Sequence, residues 1–168
     1  MSMGDKVGVL NRGRIIQTGT PQEIYNNPRD TYVASFVGSP PMNLLPVETL
    51  AVAAGKTMPS LAEGTDILGI RPDQVVIGAG EGIALSGMVE LIEPVGGESH
   101  LYVRVDGLEQ AMILVQQGRA SVGETETIDF VLPHGALHGF NRESGLRVDQ
   151  KGVAATVSRH PSEAHPAH

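Results

Sequence analysis

The 168 residues are 40% hydrophobic but only 4% aromatic, with no Trp, so a core must be built from Val, Ile, Leu and Ala. A formal net charge of −7 repels phosphate backbones and excludes nucleic acid as an expected partner, and no apolar stretch is long enough to span a bilayer. The absence of Cys excludes a disulfide framework and thiolate chemistry and fits a cytosolic home, while the start lacks the basic-then-apolar pattern of a signal peptide.

In chain order, Lys6–Leu10 and Arg14–Gln17 read as two strands joined by the turn Asn11-Arg12-Gly13. Thr20-Pro21-Gln22-Glu23 is a capping box with Pro at the first helical position, so a helix is expected from Pro21. A second helix starts near Asn27-Pro28, with Tyr32, Val33, Phe36 and Val37 at helical spacing, and Gly38-Ser39-Pro40-Pro41 stops it. From Met42 the texture changes to strands and turns. Asn43–Leu50, Asp66–Arg71 and Val75–Ile77 read as strands. The glycine-rich stretch 78–82 then reads as a hairpin turn into a long strand from Ala84 to Val95. Leu101, Val103 and Val105 alternate with polar residues, Glu109–Gln116 is expected to pair back across Asp106-Gly107, and Ile128, Phe130 and Leu132 alternate in a last long strand. Many short strands separated by turns, with 21 Gly and 11 Pro, predict a mainly β fold, a small barrel or sandwich. The Ala-, Pro- and His-rich end from Gly152 is expected to be loose.

The stretch from Met3 to Pro21 resembles the end of the nucleotide-binding domain of ABC ATPases, where two strands around a Gly turn lead into Gly-Thr-Pro and a helix. Glu23-Ile24-Tyr25, Asn27-Pro28 and the run from Phe36 to Asn43 look like the importer subfamily for maltose, other sugars and glycerol-3-phosphate. Gly69-Ile70-Arg71-Pro72-Asp73, Glu93-Pro94-Val95-Gly96-Gly97-Glu98 and Phe140-Asn141-Arg142-Glu143-Ser144-Gly145-Leu146-Arg147 are similar to the motifs of that family's transport-associated OB domain. The ordered set covers residues 3 to 148, with Asn141 where the family more often has Asp.

The resemblance implies a fragment: the end of a nucleotide-binding domain over residues 1–40, an OB-type regulatory and dimerisation domain over 41–150, and a disordered tail over 151–168. No phosphate-cradling G-x-x-x-x-G-K-[ST] occurs, and the chain starts just after the point matching the family's switch His, so no ATP or Mg site is expected here; those belong to the missing part of the parent. The expected partners are a second copy, the permease subunits of the parent at the inner face of the membrane, and a cytosolic regulator. The motif residues expected at an interface are Gly69, Arg71, Pro72, Glu93, Gly96, Phe140, Gly145 and Arg147.

Other candidates carry blander readings. Leu85-Ser86-Gly87 copies three letters of the ABC signature loop but continues into a strand, whereas the true loop opens a helix. His134 and His138, four apart, sit among Pro133, Gly135 and Gly139 rather than on a helix, and the tail histidines His160, His165 and His168 lack carboxylate company for a metal. Arg71 and Glu93 interrupt apolar patterns, as groups of a subunit interface or regulator contact, or else as a partly exposed charge pair or turn-stabilising hydrogen bonds. Tyr25, Tyr32 and Phe36 form a helix face that packs locally or on the missing domain, and residues 3–40 are expected to move freely or to dock on another copy or on the β domain. A second functional reading is oxyanion binding through Gly96–Ser99 and Gly118–Ser121; a free-standing enzyme finds no convergent set of titratable groups.

Overall fold

The computed structural model describes residues 5–148; the expected tail from Gly152 and its histidines lie outside the described residues. Strands β1 (Val7–Asn11) and β2 (Arg14–Gly19) pair as the expected antiparallel hairpin. Two six-residue helices follow, α1 (Pro21–Asn26) and α2 (Thr31–Phe36). Both have the N-terminal chemistry that short helices need. Thr20 and Glu23 form the reciprocal capping box, with Glu23 N–H donating to Thr20 Oγ1 at 3.1 Å and Thr20 N–H to Glu23 Oε1 at 2.9 Å. Asp30 caps α2 by accepting from Val33 N–H at 2.9 Å.

Strand β3 covers only Asn43–Pro46, and helix α3 occupies Val47–Ala54. This corrects the expected strand Asn43–Leu50. Pro46 removes a ladder donor at the turn into the helix, and Leu50 and Ala54, four apart, are the helix's buried residues. β4 (Ile67–Ile70) and a 3-10 turn at Pro72–Gln74 follow, then β5 (Val76–Ile77), β6 (Ile83–Val95), β7 (Glu98–Arg104), β8 (Met112–Gln117), β9 (Thr127–Leu132), β10 (His138–Phe140) and β11 (Arg147–Val148). The glycine-rich stretch 78–82 is a connection but not a hairpin turn, because β9 lies between β5 and β6 in the order β5-β9-β6-β7-β8. Leu85-Ser86-Gly87 lies within β6, as read.

The five-stranded sheet and a four-stranded sheet, β11-β10-β4-β3, curl around one core as a half-barrel, in line with the mainly β small barrel or sandwich expected. Leu45, Leu68 and Ile70 from the smaller sheet meet Leu85, Val89, Leu101, Leu114, Phe130 and Leu132 from the larger one, and α3 contributes Leu50. A polar residue stitches the two sheets. Asn43, 8% exposed, accepts from Ile113 N–H at 2.8 Å and donates to the Ile113 carbonyl at 2.9 Å, reaching the Ile70 carbonyl at 3.3 Å as well. Its amide thus imitates a neighbouring strand at the free edge of β8.

β6 outruns β9, which pairs only Ile83 to Met88, so Leu91–Val95 extends as an arm with β7. The edge of that arm is blunted. Ile92 N–H donates to the Glu124 carboxylate at 3.1 Å, and Pro94 has no N–H to offer.

Asn43→Ala should destabilise the chain by about 2 kcal/mol, because it orphans the Ile113 N–H and carbonyl in a largely buried place. Urea denaturation with an unchanged slope and a lowered midpoint checks this.

Candidate functional site

The motif residues gather mainly at one place, the seam between the α1–α2 segment and the half-barrel. Arg71 leaves the end of β4 and runs under both short helices. Its Nε and Nη2 donate to the Tyr25 carbonyl at 3.2 and 2.9 Å, and its Nη1 donates to the carbonyls of Ala34 at 3.1 Å and Val37 at 2.7 Å. Tyr25 is in the last turn of α1, Ala34 lies in the second half of α2, and Val37 is its C-cap. These are the carbonyls a helix leaves unpaired at its C-terminus, where the backbone dipole is negative, so one buried cation caps two helices. The guanidinium also lies 4.1 Å from the centroid of the Tyr25 ring, and Tyr25 OH donates to Asp73 Oδ1 at 3.3 Å. Burial pulls the Arg71 pKa below its ordinary value while Tyr25 and Asp73 oppose that, and burial and then Asp73 raise the Tyr25 pKa. Arg71 is 2% exposed and does not pair with Glu93, which corrects the reading of a partly exposed charge pair.

The other motif residues build the floor and far side of this seam. Gly69 is the place where the backbone passes beneath packed side chains: a Cβ there would meet Met42 Sδ at 2.5 Å and both Leu44 Cδ2 and Phe140 Cε2 at 3.1 Å. Fully buried Phe140 packs with Met42 and Ala34, so α2 rests on the ring. Pro72 is buried and opens the 3-10 turn that carries Asp73. Across the seam, the Gly145 carbonyl accepts from Thr31 N–H at 2.9 Å, Arg147 N–H donates to the Arg29 carbonyl at 2.9 Å, and Asp30 bridges Leu146 in strand fashion. Asn141 holds the preceding turn: its Oδ1 accepts from Ser144 N–H at 2.9 Å, and its Nδ2 donates to the Gly64 carbonyl at 3.0 Å and Asp66 Oδ2 at 3.3 Å. The α1–α2 segment thus contacts the half-barrel, one of the expected arrangements. Of the expected aromatic face, Tyr25 serves the seam, whereas Tyr32 stacks on Phe36 at 5.6 Å and Phe36 is left 64% exposed.

Glu93 and Gly96 lie away from the seam, on the β6–β7 arm. Gly96 turns the hairpin, and Glu93 accepts from Tyr102 OH at 3.2 Å. A bulge between Val89 and Leu91 resets the arm's alternation, so that Met88, Leu91, Glu93 and Val95 stand opposite Arg104, Tyr102, His100 and Glu98 on one face, on which His100 is buried. Met88, Leu91 and Val95 remain 41%, 49% and 42% exposed, framed by the Arg104 Nε to Glu90 Oε2 pair at 2.8 Å. Sequence reasoning missed this apolar strip, because a period-two count without the bulge puts Leu91 inside.

The inner side of the same arm forms an open groove of about 610 Å³ where Gly96–Ser99 and Gly118–Ala120 do meet. Its polar groups are engaged with each other: Ser99 Oγ donates to the Gly118 carbonyl and Gly118 N–H to the Gly97 carbonyl, both at 2.8 Å. His134 and His138 diverge, His134 Nε2 lying 3.4 Å from the Thr57 carbonyl while His138 is held in β10 with a buried, unpartnered Nδ1. Gly55-Lys56-Thr57, a Gly-Lys-Thr string, follows the C-terminus of α3, the wrong end of a helix for holding phosphate.

The TOBE domain family profile matches residues 68–140. Over 151 residues the chain is 42% identical to the sn-glycerol-3-phosphate import ATP-binding protein UgpC 3 of Rhizobium johnstonii, covering 89% of this chain and 43% of that protein. The UgpC 3 protein of Rhizobium etli is 43% identical over 152 residues, with the same coverage, and the UgpC protein of Bartonella quintana 35% over 153, covering 90% of this chain and 43% of that one. The chain thus spans less than half the length of the curated relatives it matches.

Gly69→Ala should destabilise by about 1–3 kcal/mol through overpacking, and adding Met42→Ala should recover part of that loss, a coupling that a double-mutant cycle of urea midpoints reads. His138 gives a pH signature. Burial, then Arg147 and Arg71, lower its pKa from 6.5 to about 4. The unfolded chain therefore takes up the proton first as pH falls. The contribution is complete above pH 6.5 and is lost on the way down to about 4, amounting to about 2 kcal/mol by pH 5. Thermal melts at pH 7.5 and 5 should differ by this amount more in the native chain than in His138→Gln.

Proposed function

We propose that this chain, whose residues 68–140 match the TOBE domain profile and which over 151 residues resembles part of an importer ATP-binding protein, is a non-catalytic regulatory and dimerisation piece of the ATP-binding subunit of an ABC importer. Its barrel holds two subunits together at one end, so that their ATP-binding halves open and close about a lasting contact. A lasting contact raises the effective concentration of the two ATP-binding faces for each other. The observation that carries this reading is the outer face of the β6–β7 arm, where Met88, Leu91 and Val95 are exposed among paired charges. Apolar side chains framed by charges of both signs suit an isologous contact, in which the same face meets itself across a two-fold axis. The blunted strand edge directs pairing to the face rather than to an added strand.

In this reading ATP and Mg are bound by the part of the subunit not represented in the chain. The permease subunits place it at the inner face of the membrane; no helix among the described residues is long and apolar enough to cross one. The relatives named for sn-glycerol-3-phosphate import make that compound, or a sugar, the expected cargo of the parent importer. A cytosolic regulator binding the barrel would bias the open or closed subunit pair by its preference for one of them. Oxyanion binding in the arm's groove is the weaker reading, since Ser99 Oγ and Gly118 N–H already donate to backbone carbonyls.

The purified chain should sediment as a dimer that Leu91→Glu converts to a monomer with unchanged circular dichroism. A native chain that stays monomeric at high concentration, or a Leu91→Glu dimer, would overturn the proposed contact. ATP turnover should be absent in both proteins.

A further inference from the structure

The segment from Val7 to Val37 and the half-barrel are tied at points far apart in sequence and at opposite ends of α2. On one side stands Arg71, with its bonds to the carbonyls of Tyr25, Ala34 and Val37. On the other stands the turn after β10, where Gly145 and Arg147 take up the backbone of Thr31 and Arg29. Between them Ala34 sits on Phe140 and Met42. A single tie would leave rotation about the Gly38–Pro41 connection. Ties at both ends, with an apolar contact between, remove it. β4 and β10, which carry the two ties, are hydrogen-bonded neighbours, so the spacing of the ties is itself fixed by a ladder.

We propose that this seam is a rigid coupling: residues 5–148 move as one body, and Arg71 is the positioning residue that stops the β1–β2 hairpin from swinging relative to the barrel. Resting on the functional reading above, the coupling lets any rotation of the part of the subunit that bears on the hairpin arrive undiminished at the arm. Gly38 gives independent access to the device. It has φ +107, and a Cβ there would stand 3.1 Å from Arg71 Nη1 and 3.0 Å from Tyr25 Cε1. Gly38→Ala thus presses on the guanidinium from outside the barrel core.

The chain has no Cys, so nitroxide labels can be placed at Ile15→Cys and Val52→Cys, 65% and 83% exposed, one on the hairpin and one on α3. Pulsed electron–electron distance measurements on the full chain should give one narrow distribution. Arg71→Met and Gly38→Ala should each broaden it about twofold or add a second distance, as expected when a local opening replaces a fixed contact. Arg71→Lys, which keeps the charge without the fork, should fall between. A broad distribution in the native chain, or variants as narrow as the native chain, would overturn the coupling. If Arg71→Met fails to fold, the native width and the Gly38→Ala width still decide. Loss of the coupling with dimerisation intact refutes this inference alone; a rigid chain that stays monomeric refutes the functional reading alone.

Discussion

One cation set against the ends of two helices is the constraint on which the rest of the structure hangs. α1 and α2 have six residues each, too few to persist in water by their own hydrogen bonds. Thr20 and Asp30 satisfy their N-terminal N–H groups, but the carbonyl ends have no local partner of that quality, and a side chain placed some thirty-four residues or more along the chain supplies it. A buried guanidinium is costly to desolvate and stabilises the fold only when its donors are well used. At Arg71 each of its nitrogens has a carbonyl, and Tyr25 lies over the charge. Removing the partner leaves the Tyr25 and Val37 carbonyls without this donor and the Ala34 carbonyl with only the long bond from Met42 N–H, a loss of about 3–5 kcal/mol by analogy with other broken buried charged networks.

This gives the Gly69-Ile70-Arg71-Pro72-Asp73 run a local physical account. Gly69 lets β4 pass under Met42 and the Phe140 ring, Ile70 faces the core, Arg71 caps the helices, and Pro72 opens the turn that brings Asp73 to Tyr25. The closing turn from Phe140 to Arg147 is its counterpart, with the ring below α2 and the backbone of 145–147 beside residues 29–31. Residues from two motifs far apart in the chain thus hold the same two helices.

Much of this was legible in the sequence where the signal is local. The capping box at Thr20–Glu23, the Asn11-Arg12-Gly13 turn, the double proline after α2 and the alternation from Leu101 to Val105 each act through near neighbours. Errors arose where distant contacts decide. Asn43–Leu50 has strand-like side chains, yet Pro46 and the burial of Leu50 and Ala54 make its second half helical. The turn after β5 looked like a hairpin because nothing in residues 78–82 tells that β9 inserts beside β5. The contacts of the motif residues were not readable: Arg71 meets carbonyls rather than Glu93, and Asn43, which joins the sheets, carried no periodic signal at all. A single bulged residue likewise turned Leu91 outward and created the apolar face of the arm.

The account stands on the helices being held by the barrel, so it predicts that both share one unfolding event. Native-state amide hydrogen exchange tests this directly. Val37 N–H, bonded to the Val33 carbonyl beside the guanidinium, should show the same opening free energy as Leu101 and Leu114 amides in the barrel core. Exchange at Val37 many times faster than at those core strands, under conditions where the barrel stays closed, would mean that the helices merely rest on the surface and would contradict the account.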